Sequence, residues 1–204
     1  MKFNFHRYHR HSNRLKGYNY ARAGSYFVTL TCKNRLSLFG EITNEKMHLN
    51  ALGTIAKKEW LHTTEVRPNV GLGAFVVMPD HLHGIIIIKE DMQLTTINGQ
   101  VTKSNIINHE FESGRGVLHP PLPDSNSVLR SPSQTLGAII RGYMGSVTRQ
   151  INELRNTPGE KVWQRNYNDH IIRSKWTFHR ITNYIIRNPS TWEKENRNND
   201  RFKF

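Results

Sequence analysis

The segment 75–90, FVVMPDHLHGIIIIKE, constrains the fold of this chain more than any other part of the sequence. Two apolar runs rich in Val and Ile flank a Pro79-Asp80 pair, which is typical of a tight turn between strands. The four consecutive isoleucines 85–88 indicate a second strand that is buried on both faces or nearly so. The segment therefore predicts a β-hairpin whose second strand is largely buried.

Apolar residues at strand or helix spacing predict the remaining elements. These are a strand over 24–34, a helix over 49–65, an amphipathic helix over 135–154, a strand within 162–173 and a last helix over 175–189 that Pro189 ends. The order is strand, helix, two strands, helix, strand, helix. It predicts an α+β fold of ferredoxin-like kind, in which an antiparallel sheet has its helices packed on one face.

Composition divides the chain into three parts. Residues 1–22 form a basic N-terminal arm, residues 23–192 form one folded domain, and residues 193–204 form a polar C-terminal tail. Within the domain, residues 91–133 are rich in Pro and Ser and lack periodicity. We therefore expect a long inserted loop there, either disordered or functional.

The chain is strongly basic, with 29 Lys and Arg against 16 Asp and Glu and a formal net charge of +13. No acidic residue precedes Glu41, and the arm interleaves its cations with His, Tyr and Phe, as in proteins that bind phosphates by charge and bases by stacking. A solvated, partly disordered tail is the alternative, but the overall charge favours nucleic acid. The candidate DNA-contacting residues are Arg7, Arg10, Arg14, Lys16, Arg22, Arg141 and Arg149.

For three arginines of the helix over 135–154, phosphate contact and a solvated helix face are equal alternatives. They are Arg141, Arg149 and Arg155, which lie off the apolar stripe of that helix.

Several classes of protein are excluded by what the sequence lacks. No apolar run approaches the roughly 20 residues that a membrane span needs, and the N-terminus has no apolar core of a signal peptide. We therefore expect a cytoplasmic, nucleoid-associated bacterial protein with no membrane partner. A single cysteine, Cys32, excludes an internal disulfide and a cysteine-rich metal site.

Two histidines interrupt the buried hairpin. On a strand His81 and His83 point to the same face, so they can converge on one small ion or one phosphate. Two ordinary histidines hydrogen-bonded at a sheet edge are the alternative. Since two imidazoles alone are a weak site for Mg²⁺ or Mn²⁺, a metal here would need an oxygen ligand from elsewhere.

The candidate oxygen ligand lies on the last helix. Tyr184 and Asn188 are four residues apart and face the same way, so an Asn188 amide oxygen could complete a metal site beside a Tyr184 nucleophile. Spacing alone favours instead a Tyr184 ring that packs beside its apolar neighbours. Of the other tyrosines, Tyr143 is predicted to pack in the core, and Tyr167 is predicted to be structural or to contact DNA.

Three motifs in order, VVMPDHLHGIIII, VWQRNYNDHIIR and YIIRNPSTW, resemble the single-tyrosine HUH transposases. The resemblance is greatest to the REP-associated tyrosine transposases, which are relatives of the transposases of the smallest bacterial insertion sequences. It covers residues 13–192, and the order of three separate motifs makes it more specific than the two histidines alone.

The resemblance implies a function for each matched residue. His81 and His83 match the histidines that hold a divalent metal, Mg²⁺ or Mn²⁺; Tyr184 matches the nucleophile, and Asn188 the residue that completes metal binding. The family cleaves single-stranded DNA beside an imperfect hairpin. It forms a 5′-phosphotyrosine and leaves a free 3′-OH, which allows strands to be rejoined. The implied enzyme is thus a single-strand DNA nickase and rejoining enzyme, working as a monomer or a homodimer.

One residue departs from the family pattern, and one rival function stays open. Asp80 stands where Asn is the commoner residue, and it could either hydrogen-bond a ligand histidine from behind or shape the turn. The rival is a non-catalytic protein that binds DNA repeats, as a repressor or a structural binder.

Overall fold

The computed structural model describes residues 14–15, 17–90, 95–97, 100–102 and 134–200, and of residues 95–97, 100–102 and 193–200 it describes the backbone only. The candidate residues Arg7, Arg10 and Lys16, and most of the 91–133 segment, lie outside this range. The elements are β1 Gly24–Thr31, β2 Gly40–Thr43, β3 Lys46–Leu49, α1 Ala51–Val66, β4 Val70–Val77, β5 His81–Ile88, β6 Thr95–Ile97, β7 Gln100–Thr102, α2 Leu136–Arg155, β8 Asn168–Ile172 and α3 Lys175–Asp200. No helix of the described part is long and apolar enough to cross a membrane.

The main sheet has four antiparallel strands in the order β4-β5-β1-β8. In chain order these are the second, third, first and fourth strands, with α1 and α2 as the two connecting helices. This is the β-α-β-β-α-β arrangement of ferredoxin-like folds. The predicted α+β class and antiparallel sheet are confirmed. The hairpins β2–β3 and β6–β7 lie outside the main sheet and were not predicted.

One face of the sheet packs against α1 and α2. Alternate residues of β1, including Tyr26 and Val28, are fully buried there with Trp60 of α1. Tyr143 of α2 lies in the same core and donates a hydrogen bond from its hydroxyl to the Ala56 carbonyl of α1, at 3.1 Å. The prediction that Tyr143 packs in the core is confirmed.

The other face of the sheet packs against α3. Ile85 of β5 and Ile172 of β8 meet Ile181 and Ile185 of the helix in a second apolar cluster. Helices α1 and α2 therefore share one face of the sheet, whereas α3 covers the other face. The expectation that all helices pack on one face is wrong for α3. The reason lies in β5, where Ile85 and Ile86 point to opposite faces and both are fully buried, so the sheet needs cover on both sides.

The last helix does not end at Pro189. It continues to Asp200, so most of the expected polar tail 193–204 is helical. Proline removes one main-chain hydrogen bond to the Ile185 carbonyl. Contacts on both sides hold the helix in place, because Ile185 is fully buried before the proline and the Trp192 ring lies against His81 after it.

Candidate functional site

His81 and His83 open strand β5 on the face that α3 covers. Their side chains lie on the same side of the strand, as their spacing predicts, and their ring centroids are 4.4 Å apart. Both residues are buried. The polar pair therefore lies at the end of the sheet, inside the interface with α3 and next to the second apolar cluster.

Each imidazole makes a hydrogen bond through its Nδ1 atom. His81 Nδ1 donates to Asp80 Oδ1 at 2.5 Å, and His83 Nδ1 lies 2.9 Å from Thr29 Oγ1 on the neighbouring strand. Asp80 is itself buried, and its second oxygen lies 3.5 Å from the Arg35 guanidinium. Such partners fix the ring orientation and the tautomer of a metal-binding histidine. Of the two possibilities for Asp80, the hydrogen bond to a histidine is present.

Side chains on one face of α3 lie against the two imidazole rings, on the side away from their Nδ1 hydrogen bonds. The Tyr184 hydroxyl is 3.2 Å from His83 Nε2, and the Trp192 ring is 5.5 Å from the His81 ring. Asn188 lies one turn from each of them and is 7% exposed. The helix thus places a phenol, an amide and an indole in a row against the histidine pair. Tyr184 itself remains 49% exposed, so a substrate can reach it.

Burial sets the charge state of His83. It lowers the pKa of His83 to about 3, the neighbouring His81 acts in the same direction, and Asp80 opposes the shift. His83 is therefore neutral at physiological pH. In the tautomer whose Nδ1 donates to Thr29 Oγ1, the lone pair of the neutral ring lies on Nε2, and this is the form that binds a metal.

The donor set fits a divalent metal only if Asn188 takes part. Within the described residues no group of three or more His, Cys, Asp and Glu could hold a metal. Two imidazole nitrogens and one amide oxygen would suit Mn²⁺, whereas Mg²⁺ prefers oxygen ligands and retains several waters. Asn188, which is buried one turn from Tyr184 and from Trp192, is the predicted oxygen donor for this histidine pair.

The predicted DNA-contacting residues do not gather at the histidines. Arg14, Arg141 and Arg149 line a groove along α2, on the face of the sheet away from α3. Arg22 is exposed just before β1 and does not line this groove. Tyr167 lies in the groove, where Arg14 Nη2 donates to its hydroxyl at 2.6 Å.

Two residues of the site were missed by sequence reasoning. Trp192 follows Asn188 by the same four-residue spacing that linked Asn188 to Tyr184, so the spacing could have identified it. Thr29 carries no such signal, because only the pairing of β1 with β5 places it opposite His83.

A relative in sequence covers almost the whole chain. An uncharacterized protein of Haemophilus influenzae is 38% identical over 194 residues, which span 95% of this chain and 96% of that protein. The chain belongs to the family of that protein. No protein-family model matches it.

Two solved structures are similar to this chain in fold. A REP-associated tyrosine transposase bound to a REP hairpin has a TM-score of 0.48 at 15% identity, over 87% of this chain and 73% of that one. A provisionally named transposase from Deinococcus radiodurans R1 has a TM-score of 0.41 at 15% identity, over 84% of this chain and 94% of that one.

Proposed function

We propose that this protein is a metal-dependent strand transferase of the HUH tyrosine transposase kind, acting on single-stranded DNA that carries a hairpin. The observation that supports this proposal most is the contact of 3.2 Å between the Tyr184 hydroxyl and His83 Nε2. It joins the two motifs that the family resemblance assigns to the nucleophile and to the metal, although 101 residues separate them in the chain. The net charge of +13 suits a nucleic acid substrate.

The metal would be held by Nε2 of His81, Nε2 of His83 and the amide oxygen of Asn188. A bound Mg²⁺ or Mn²⁺ would supply a Lewis acid for the scissile phosphate. Asp80 and Thr29 hold the two rings through Nδ1, which leaves Nε2 of each ring as the nitrogen that would bind the metal. Burial of His83 keeps it unprotonated, which removes proton competition for its nitrogen.

Tyr184 would supply the nucleophile. Its oxygen forms a bond to the phosphorus of the scissile phosphodiester as the bond to the 3′-oxygen breaks. The phenol proton is lost and the departing 3′-oxygen gains one, which gives a 5′-phosphotyrosine and a free 3′-OH. Because one phosphodiester replaces another, the 3′-OH can reverse the step without an external energy source.

The site draws all of its candidate residues from one chain. Tyr184 and Asn188 lie on α3 of the same molecule that carries His81 and His83. A monomer therefore has the complete set, and a homodimer is not needed to assemble it. Whether the protein acts as a monomer or a homodimer stays a prediction.

A covalent-adduct assay tests the proposal. The protein is mixed with labelled single-stranded hairpin oligonucleotides from the repeats of its own genome, with Mn²⁺ or Mg²⁺, and run on a denaturing gel. We expect a band that survives denaturation and is lost in Tyr184→Phe and in His81→Ala. Tyr18→Phe, which removes a hydroxyl that contacts Tyr26 rather than His83, should keep the band.

The rival function gives a different result in the same assay. DNA that is shifted on a native gel but never trapped covalently, across several repeats and with both metals, would identify a non-catalytic DNA-repeat-binding protein.

A further inference from the structure

A groove of about 670 Å³ runs along α2, between the helix and the segment 159–167. Its apolar lining residues include Ile140, Met144 and Trp163. Its volume falls within the roughly 300 to 1,000 Å³ of sites that enclose a small ligand. The groove lies on the sheet face opposite α3, so it is separate from the histidine pair.

Cations outnumber acids on the rim of the groove, although Arg149 is ion-paired with Glu153 of the same helix at 2.9 Å. Among the described residues that line it, four are cations and one is an acid. The cations are Arg14, Arg141, Arg149 and Lys161, and the acid is Glu160. Such a rim is complementary to a polyanion rather than to a neutral or cationic ligand.

An aromatic ring with a guanidinium over it forms part of the groove lining. The Arg14 guanidinium lies 5.1 Å from the centre of the Tyr167 ring and donates a hydrogen bond to the Tyr167 hydroxyl. Proteins that bind single-stranded nucleic acid combine a positive groove for the backbone with flat groups on which bases stack. A duplex would present only its outer, convex phosphate surface to a groove of this size.

Gly145 marks the centre of the groove. A Cβ atom added there would meet no atom of the described residues outside its immediate helical surroundings within 4 Å. Glycine is, after proline, the least favourable residue in a helix interior, and no packing contact requires one at this position. Arg141 and Arg149 lie one turn before and after it, about 12 Å apart along the helix axis. The glycine therefore keeps open the space between two cations.

The groove and the histidine pair lie at the same end of the sheet. Trp163 pairs with Cys32, and the preceding residue, Thr31, pairs with His81 on the next strand. Two strand spacings, about 10 Å, therefore separate the backbone of Trp163 from that of His81. A DNA strand held at Tyr184 has a short path around this end of the sheet to the groove.

We propose that this groove binds a short single-stranded segment of the DNA substrate, with Arg141, Arg149 and Lys161 on its phosphates and a base against the Arg14–Tyr167 pair. The identity of the strand rests on the proposed function, whereas the groove itself is a second binding site away from the reacting phosphate. It would hold the strand beside the hairpin while Tyr184 reacts.

The test is a binding measurement that needs neither metal nor catalysis. Fluorescence anisotropy follows a labelled oligothymidylate of about ten nucleotides, within the site sizes of single-strand-binding proteins, with the full-length protein in EDTA. We expect Gly145→Ala to change the Kd by less than about twofold, and Gly145→Glu to weaken binding by about tenfold or more, because it adds both bulk and negative charge. Gly145→Gln, which has the size but not the charge, should lie between them.

The salt dependence of the Kd gives a second readout. Each phosphate contact on a single strand contributes about −0.7 to the slope of log K against log salt concentration. Arg141→Ala and Arg149→Ala should each reduce the slope by about that amount. Arg155→Ala removes the same charge from the same helix outside the groove, and it should leave the slope unchanged. Equal binding by Gly145→Glu and Gly145→Ala, or equal slopes for all three arginine variants, would overturn the proposal.

Failure of the groove and failure of the proposed function give different results. A covalent adduct at Tyr184, together with oligothymidylate binding that Gly145→Glu does not weaken, would refute the groove and leave the transferase. Loss of oligothymidylate binding in Gly145→Glu without any adduct would support the groove and refute the transferase. Binding of polyglutamate, but not of the oligothymidylate, with the same dependence on Gly145 would indicate an acidic peptide as the ligand and would overturn the proposal.

Discussion

Between pH 7 and pH 3 the folded and the unfolded chain differ in the protonation of His83. The ring is 7% exposed in the interface with α3, and burial lowers its pKa from 6.5 to about 3. The unfolded chain therefore binds a proton near pH 6.5, which the folded chain takes up only near pH 3. Because the unfolded state binds more protons in this window, the free energy of unfolding decreases as the pH falls through it. Above pH 6.5 the full contribution of His83 is present.

The size of the effect follows from the shift. Each pKa unit corresponds to about 1.4 kcal/mol, so the whole shift is worth about 5 kcal/mol by pH 3. Linkage gives about 2 kcal/mol of that loss by pH 5. A domain of this kind has about 5 to 15 kcal/mol of stability in total, so a change of 2 kcal/mol is readily measured.

Urea denaturation at pH 7.5 and pH 5 checks this prediction, with EDTA present to exclude metal. From pH 7.5 to pH 5 the free energy of unfolding of wild type should fall by about 2 kcal/mol more than that of His83→Gln, which has no group to titrate at position 83. His170→Gln is the matched control, since it makes the same substitution at an exposed position on β8. The pKa of Glu59, which is lowered by hydrogen bonds from Ser146 and Gln150 on the opposite face of the sheet, should be the same in all three proteins, so its contribution cancels. Equal losses in wild type and in His83→Gln would refute the assignment of a neutral, buried His83.

Two further predictions concern the neighbours of the histidines. Gly84→Ala should lower the free energy of unfolding by about 1–3 kcal/mol, because its Cβ would lie 2.3 Å from the buried Trp60 ring. Gly71→Ala, where the nearest contact is 3.6 Å, should show no such loss in the same denaturation assay. Asp80→Ala should weaken Mn²⁺ binding, measured by calorimetry, by about 10–100-fold, because His81 Nδ1 loses its acceptor. Asp80→Asn keeps an acceptor and should lose less; unchanged Mn²⁺ affinity in Asp80→Ala would show that Asp80 does not position His81.

Local patterns predicted the elements that make up the main sheet and its helices. Alternation and helical spacing located β1, the β4–β5 hairpin, α1 and α2 within a few residues, because these elements bury the faces that their patterns mark. The β2–β3 hairpin was missed for a backbone reason. Its turn residues Asn44 and Glu45 both have positive φ, at 52° and 60°, and the sequence has no glycine there to signal such a turn.

The site was predictable where it depends on spacing within one element. The shared face of His81 and His83 follows from the period of a strand. The contact between Thr29 and His83 depends on the register of β1 against β5, which no local pattern encodes. The meeting of Tyr184 with His83 was expected only from the family resemblance, since spacing alone favoured a tyrosine packed beside its apolar neighbours.

The two imidazoles in a buried strand have a physical explanation in the packing of β5. The strand presents Leu82 and Ile86 to the core under α1 and α2, and its other face presents the histidines and then Ile85 to α3. A register slip of one residue would exchange these faces, so the packing that fixes the core also fixes the histidine pair.

The same packing places the nucleophile. Ile181 and Ile185 pack α3 on the apolar part of the second face, and one turn further along the helix Tyr184 and Asn188 lie over the polar end of that face.

The cost of burying two imidazoles is offset by Asp80, Thr29 and the Tyr184 hydroxyl, which satisfy three of the four ring nitrogens. The remaining nitrogen, His81 Nε2, is the atom at which a metal would gain a ligand without breaking a hydrogen bond within this pair. Metal binding at His83 would instead displace the Tyr184 hydroxyl from Nε2. His83 Nε2 can therefore either contact the Tyr184 hydroxyl, as it does here, or serve as a ligand nitrogen, so the proposed nucleophile and the proposed ligand share one atom.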